Sequence, residues 1–136
     1  MNLWRWFLDL WKEQPSKNQE KHHAPPPRVF HSCEVVKSAP PNDSIPHGKF
    51  IVITPSKEPK WALFKCPCSC GHVITLSLAS GRTPQWQVKL EEGLYPTLHP
   101  SVRQLNGCYS HFWVKGGRIH WCDDTGRPYQ HKTNIY

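Results

Sequence analysis

The feature that most constrains the fold is a run of alternating cysteines, followed farther along the chain by a second short motif. The run reads Cys66-Pro-Cys-Ser-Cys-Gly71, and the second motif reads Cys108-Tyr-Ser-His111. Three cysteines at every second position make a poor disulfide framework, because neighbouring thiols compete for the same partner. Zinc prefers cysteine and histidine donors, which two short loops commonly supply. The sequence therefore predicts one metal centre held between these two loops.

The two loops offer more ligands than a tetrahedral ion needs. A Cys3His set of Cys66, Cys68, Cys108 and His111 is the first choice. Cys70 is the alternative to Cys68, because a separation of four from Cys66 also matches the spacing of zinc knuckles. The spacing leaves open which four residues bind. The other two cysteines are not expected to be ligands: Cys33 stands alone, and Cys122 fits a small buried apolar side chain.

The ligand pattern also allows an iron–sulfur centre. Cys-x-Cys followed by Cys-x-x-His resembles the ligand loops of Rieske proteins, in which two cysteines and two histidines hold a [2Fe–2S] cluster. Cys68 stands where Rieske proteins have histidine, and three cysteines with one histidine make a good zinc set. Zinc is therefore the predicted cofactor, and a [2Fe–2S] cluster is the alternative.

Composition divides the 136 residues into unequal parts. Residues 1–14 predict a tryptophan-rich amphipathic helix, since Trp4, Phe7, Leu8 and Trp11 share one helical face. Most of the 14 prolines lie between Pro15 and Pro59. Residues 15–47 are accordingly expected to form a poorly ordered linker, with a candidate edge strand over 28–36. The metal-binding domain is expected over 48–129, with a tail over 130–136.

The 48–129 segment is predicted to be a small antiparallel β domain, zinc-ribbon-like or Rieske-like. β-Branched residues and period-two alternation indicate strands, while the two prolines in 95–106 favour irregular structure there. Gly116-Gly117 predicts a tight turn in a final hairpin over 112–121. The expected strands are Phe50–Thr54, Trp61–Lys65, His72–Leu78, Gln85–Leu90 and the two arms of that hairpin.

Catalytic motifs are not evident in the sequence. It has no glycine-rich phosphate loop, no HExxH and no GxSxG nucleophile elbow. Asp123-Asp124 fits a solvated turn before Gly126. The sequence therefore favours a protein that is not an enzyme, without excluding one.

Charge and targeting signals give weak guidance about partners and location. The net charge is +7, from 17 basic and 10 acidic residues. Because these residues are scattered, nucleic-acid binding is only weakly supported. No signal peptide or transmembrane segment is visible, and the free-thiol chemistry fits a reducing cytoplasm.

The motif order from Trp61 to Cys122 resembles a family of small bacterial proteins known as domain of unknown function 6527. The matching elements are Cys66-Pro-Cys-Ser-Cys-Gly71, Pro84-Gln-Trp86, Thr97-Leu-His-Pro-Ser-Val102, Cys108-Tyr-Ser-His-Phe-Trp113 and Gly117-Arg-Ile-His-Trp-Cys122. The family usually has glycine where this chain has Ser69. The resemblance implies a metal-binding protein, with candidate partners among bacterial ubiquitin-like conjugation components.

Three functions follow as hypotheses. The first is a structural zinc module that binds another protein, for example as an adaptor in a ubiquitin-like modification pathway. The alternative is a Rieske-like electron-transfer protein or oxidoreductase component. The third is a zinc hydrolase or an E3-like conjugation factor, which would need an open ligand position or a reactive spare thiol such as Cys70.

Overall fold

The computed structural model describes residues 24–128 and shows a mostly β protein. The expected helix over 1–14 and the tail over 130–136 lie outside the described residues. Within them, strands form three small sheets that are joined by short loops. The prediction of a mostly β fold with antiparallel sheets is confirmed.

The first sheet has four strands: β1 (Cys33–Val36), β2 (Phe50–Ile53), β3 (Trp61–Lys65) and β4 (Val73–Ser77). They lie in chain order; β1 and β2 are parallel, and the other two pairings are antiparallel. Every residue of β2 is buried, as expected of an apolar β-branched run. The cysteine-rich loop connects β3 to β4, so the hairpin fixes both of its ends.

The second sheet pairs β5 (Gln87–Glu91) with β6 (Tyr95–His99). The expectation of irregular structure over 95–106 is wrong for its first half. Pro96 and Leu98 are buried on one face of β6, and pairing with β5 along the whole strand outweighs the breaking tendency of the proline.

The third sheet is formed by β7 (Val102–Arg103), β8 (His111–Lys115) and β9 (Arg118–Trp121), all antiparallel. Gly116 and Gly117 have φ of 56° and 73° and make the two-residue turn between β8 and β9. The predicted final hairpin is therefore confirmed.

Four phenylalanines form the centre of the core between the sheets. The rings of Phe30, Phe50 and Phe64 have centroids 5.3–5.4 Å apart, and Phe112 reaches Phe64 at 6.4 Å. All four side chains are fully buried. Phe30 belongs to the segment whose composition predicts poor order, so part of that segment packs into the core.

Gly117 lies where the chain segment around Phe30 crosses the β8–β9 turn. Its N–H donates to the Pro96 carbonyl at 2.8 Å, and its own carbonyl accepts from the N–H groups of Val29 and Phe30 at 2.8 and 3.0 Å. A Cβ at this position would lie 2.0 Å from the Phe30 carbonyl oxygen. The turn therefore requires glycine for space as well as for its φ.

Replacing Gly117 by alanine is expected to lower the free energy of unfolding by about 3 kcal/mol, from the left-handed backbone and the steric overlap together. Gly81→Ala is the matched control, because Gly81 has a φ of 81° but a Cβ added to it would meet no atom within 4 Å. Urea denaturation of both variants measures the difference. Equal losses would show that the contact with Phe30 is unimportant.

Candidate active site and metal centre

Four cysteines converge at one end of the β3–β4 hairpin. Cys66, Cys68 and Cys70 come from the loop between these strands, and Cys108 comes from the loop before β8. Their four sulfur atoms all lie within 4.8 Å of one another. Cys66 Sγ lies 3.3 Å from Cys68 Sγ and 3.8 Å from Cys108 Sγ. All four are free thiols.

Backbone hydrogen bonds hold the cysteine-rich loop in place. The N–H of Cys66 donates to the His72 carbonyl at 2.8 Å, and the N–H of Ser69 donates to the Cys66 carbonyl at 3.1 Å. Ser69 and Gly71 both have positive φ, which turns the chain sharply between the ligands. The loop thus brings the sulfur atoms of three alternate residues, Cys66, Cys68 and Cys70, close together.

The geometry of the four thiols fits one metal ion. Zinc binds thiolates at about 2.3 Å, which in a tetrahedron places the sulfurs about 3.8 Å apart. The observed spacing is close to this. Burial raises the pKa of the Cys66 thiol. Burial also acts on Cys68, but hydrogen bonds from Ser110, Cys66 and Cys70 lower the pKa of its thiol to about 6. A bound cation would supply the charge that lets all four thiols ionise.

His111, the fifth ligand candidate, is engaged elsewhere. Its Nε2 lies 3.0 Å from Ser101 Oγ, and its Nδ1 lies 2.6 Å from Asp124 Oδ1. Cys70, rather than His111, therefore joins the three other cysteines. Both ring nitrogens of His111 are thus used in one series of contacts from Ser101 through His111 to Asp124, called the Ser–His–Asp arrangement.

Each member of this arrangement is held by the third sheet and its neighbours. Ser101 comes directly before β7, and its carbonyl accepts a hydrogen bond from Trp86 Nε1 at 3.2 Å. His111 is the first residue of β8, where it pairs with Arg103 of β7. Its N–H donates to Thr125 Oγ1 at 3.0 Å, which ties it to the turn that carries Asp124.

Arg103 sets the electrostatics of Asp124. Its guanidinium pairs with Asp124 Oδ2 and lies 2.9 Å from His111 Nδ1. The hydrogen bond from Arg103, followed by that from His111, lowers the pKa of Asp124 from 3.8 to about 2. The contacts therefore favour the folded state above about pH 4, and this contribution is lost as the pH falls through about 2.

The ionised state of Asp124 determines which nitrogen of His111 carries the proton. A carboxylate can only accept, so the 2.6 Å contact with Asp124, which is the shortest contact of Nδ1, makes that nitrogen a donor. The guanidinium of Arg103, 2.9 Å from Nδ1, then donates to Asp124 and not to the ring, and Nε2 is left to accept from the Ser101 hydroxyl. This is the hydrogen-bonding order of a catalytic triad, in which histidine takes the proton of the serine and aspartate orients the imidazolium that forms. The arrangement is suited to nucleophilic attack by Ser101 on an acyl carbon.

The metal centre and the Ser–His–Asp arrangement share one short segment. Cys108 precedes His111 by three residues, and Ser110 between them is buried. The N–H of Gln104 donates to the Ser110 carbonyl, and the N–H of Gly126 donates to the Tyr109 carbonyl, both at 2.8 Å. The position of His111 therefore depends on the loop that carries Cys108.

Sequence reasoning misses two residues of this arrangement. Ser101 lies in no nucleophile elbow, and the acidic pair that contains Asp124 indicates only a solvated turn. The available signal is the segment Ser101-Val-Arg103, because Arg103 pairs with His111 on the neighbouring strand and Ser101 comes directly before β7. His99 and His120, which lie on β6 and β9, are outside the arrangement; the centroid of the His99 ring lies 6.0 Å from that of Trp113.

A comparison with family models matches residues 35–122 to the bacterial ubiquitination-like system serine protease, BubE. The chain belongs to this family. The BubE match contains all the cysteines of the cluster together with Ser101 and His111, and it ends two residues before Asp124. Neither a curated protein nor a solved structure matches the chain.

The BubE assignment refines the resemblance seen in the sequence. The family name differs from the one that the motifs indicate, although the matched span includes every one of those motifs. The expected link to a bacterial ubiquitin-like system is confirmed at the level of the family. Within residues 24–128, no helix has the length and apolarity to cross a membrane.

Proposed function

We propose that the protein is a serine hydrolase that cleaves acyl bonds within a bacterial ubiquitin-like system, with a structural zinc ion on its four cysteines. The observation that carries the proposal is the pair of contacts made by His111, at 3.0 Å to Ser101 Oγ and 2.6 Å to Asp124 Oδ1. The family description, which names a serine protease, supports the same chemistry.

The residues divide the reaction between them. Ser101 Oγ attacks the acyl carbon of a peptide or ester bond, and His111 Nε2 accepts the hydroxyl proton and passes it to the leaving group. A water molecule then attacks the acyl-enzyme, with His111 again as the base. Asp124 remains ionised throughout and holds the imidazole in orientation, while Arg103 holds Asp124.

Substrates and partners are proposed from the family name and from one surface feature. A ubiquitin-like protein, or a conjugate of one, is the proposed protein partner. Trp86, which holds the Ser101 carbonyl, also lines a surface groove with Pro59, Leu78, Gln85 and Val88. We propose that an extended segment of the substrate follows this groove to Ser101.

Zinc is the proposed metal, and its proposed task is structural. Cys66, Cys68, Cys70 and Cys108 would fill all four positions of a tetrahedral ion and leave none for substrate. The mutual closeness of the sulfurs favours one ion, since a two-iron cluster would separate the cysteines into two more distant pairs. A Rieske-type centre would also require His111, whose ring nitrogens contact Ser101 and Asp124.

The adaptor role expected from the sequence stays a prediction. It accounts for the cluster of four cysteines but not for the contacts among Ser101, His111 and Asp124. A cytoplasmic location likewise stays a prediction. The hydrolase proposal accounts for both sets of residues: the metal ion would stabilise the fold, and Ser101 would act as the nucleophile.

Covalent labelling tests the proposal without a known substrate. A fluorophosphonate is expected to modify one serine, with formation of the Ser101 Oγ–P bond, loss of fluoride and transfer of the hydroxyl proton to His111. Intact mass and peptide mapping locate the label. Ser101→Ala should remain unlabelled, whereas Ser56→Ala, at an exposed serine in the turn after β2, should label as the unmodified protein does. Labelling elsewhere, or none, would contradict the proposal.

A further inference from the structure

Cys122 is used by neither the four-cysteine cluster nor the Ser–His–Asp arrangement, yet it lies beside the latter. It directly follows β9, and its N–H donates to the His111 carbonyl at 2.9 Å. Its sulfur, a ring nitrogen of His111 and a carboxylate oxygen of Asp124 all lie within 4.8 Å of one another. All three residues are partly exposed.

These three groups make a donor set for a thiophilic cation. Zinc and cadmium both bind thiolate, imidazole and carboxylate ligands. For zinc the metal–ligand distances are about 2.0–2.3 Å, so neighbouring ligand atoms in a tetrahedron lie about 3.3–3.8 Å apart. The present atoms lie within 4.8 Å of one another and would have to approach by up to about 1.5 Å to reach that spacing. Water would occupy the fourth position, since the site opens to solvent.

Two features oppose cation binding and limit its strength. The guanidinium of Arg103 already pairs with Asp124 and would repel a cation. Burial raises the pKa of the Cys122 thiol, with the charge of Asp124 adding to the effect, so the cation must displace a proton. Binding here should accordingly be weaker than at four thiolates, and reversible.

We propose that Cys122, His111 and Asp124 form an inhibitory site for a thiophilic divalent cation such as Zn²⁺, separate from the four-cysteine centre. A cation bound to these ligands would coordinate the imidazole of His111 and the carboxylate of Asp124, which could then no longer act as the base for Ser101 and as the group that orients that base. Occupancy and hydrolysis therefore exclude one another. The inhibitory part rests on the proposed function, whereas the binding site does not.

Binding of Cd²⁺ tests the site independently of activity. Protein that already carries one Cd²⁺ ion per chain at the four cysteines is titrated with further Cd²⁺, and the added sulfur-to-cadmium absorption and the bound metal are measured. A second ion is expected in the unmodified protein and in Ser101→Ala. In Cys122→Ser, its affinity should fall more than about 100-fold, since even substitutions outside the ligand shell cost about 10–100-fold. Cys33→Ser is the matched control and should bind both ions.

Fluorophosphonate labelling measures the inhibitory consequence. Zn²⁺ should slow labelling of the unmodified protein and of Cys33→Ser, while Cys122→Ser should label at the same rate with or without Zn²⁺. Retention of the first ion in Cys122→Ser shows that this variant is folded. A second ion that binds Cys122→Ser with unchanged affinity, or no second ion in the unmodified protein, would overturn the site. If the second ion binds through Cys122 in a protein that never labels, the proposed function fails and the site stands.

Discussion

Replacing Asp124 by asparagine is expected to slow fluorophosphonate labelling of Ser101 by about 10³- to 10⁴-fold. The carboxylate accepts the Nδ1 proton of His111 and so leaves Nε2 free as the base. An amide can present its NH2 group to Nδ1 instead, which stabilises the tautomer that cannot accept the serine proton. It also removes the charge that Arg103 pairs with, so both contacts to the carboxylate are weakened at once.

The neighbouring residue supplies a matched control for this substitution. Asp123 is an exposed carboxylate one position away, and Asp123→Asn should label at nearly the unmodified rate. Because the pKa of Asp124 is about 2, the carboxylate remains ionised down to about pH 4. Protonation of Asp124 should therefore not reduce the difference between Asp124→Asn and the unmodified protein anywhere above about pH 4. A rate within tenfold of the unmodified protein would show that Asp124 does not orient His111.

Substitution at the metal centre is expected to remove the metal ion and, with it, the stability of the domain. Cys66 is fully buried among the four sulfurs, and Cys66→Ser should lose the metal ion and most of the stability of the fold. Structural zinc sites contribute about 10–16 kcal/mol of apparent binding free energy, so a domain of this size is not expected to stay folded without one. Metal analysis and thermal unfolding measure both losses.

Cys70 and His111 distinguish the two candidate ligand sets. Cys70→Ser should reduce the metal content from about one ion per chain and should lower the melting temperature. His111→Ala should keep the ion and the fold while abolishing labelling of Ser101. Cys33→Ser, at a half-buried thiol outside the cluster, should change neither the metal content nor the labelling of Ser101. If His111→Ala loses the metal and Cys70→Ser keeps it, the ligand set is the Cys3His set that the sequence favours.

Local patterns in the sequence predict most of the fold but only part of the site. The apolar run at β2 and the two glycines after Lys115 determine their elements locally, and the structure has both. The three close cysteines likewise indicate a metal-binding loop whatever surrounds them. Such features depend on neighbours in the chain, which a sequence displays directly.

The Ser–His–Asp arrangement depends on contacts that the sequence does not display. Cys108-x-x-His111 has the spacing of a zinc loop, which predicts that the histidine is a ligand. The partners that His111 has in the structure follow from the pairing of β7 with β8. Strand β7 lies within residues 95–106, where the prolines predict irregular structure. Without that pairing, nothing places Ser101 beside His111 or gives Asp124 a neighbour.

The short step along the chain from Cys108 to His111 has a consequence for how the protein matures. The strand that carries His111, the proposed base, begins where the loop with Cys108 ends, so that loop must be fixed before His111 has a defined position. On the proposed function, a newly made chain would be unable to hydrolyse anything until it had acquired its metal. The supply of zinc would then determine when, after synthesis, the enzyme begins to act.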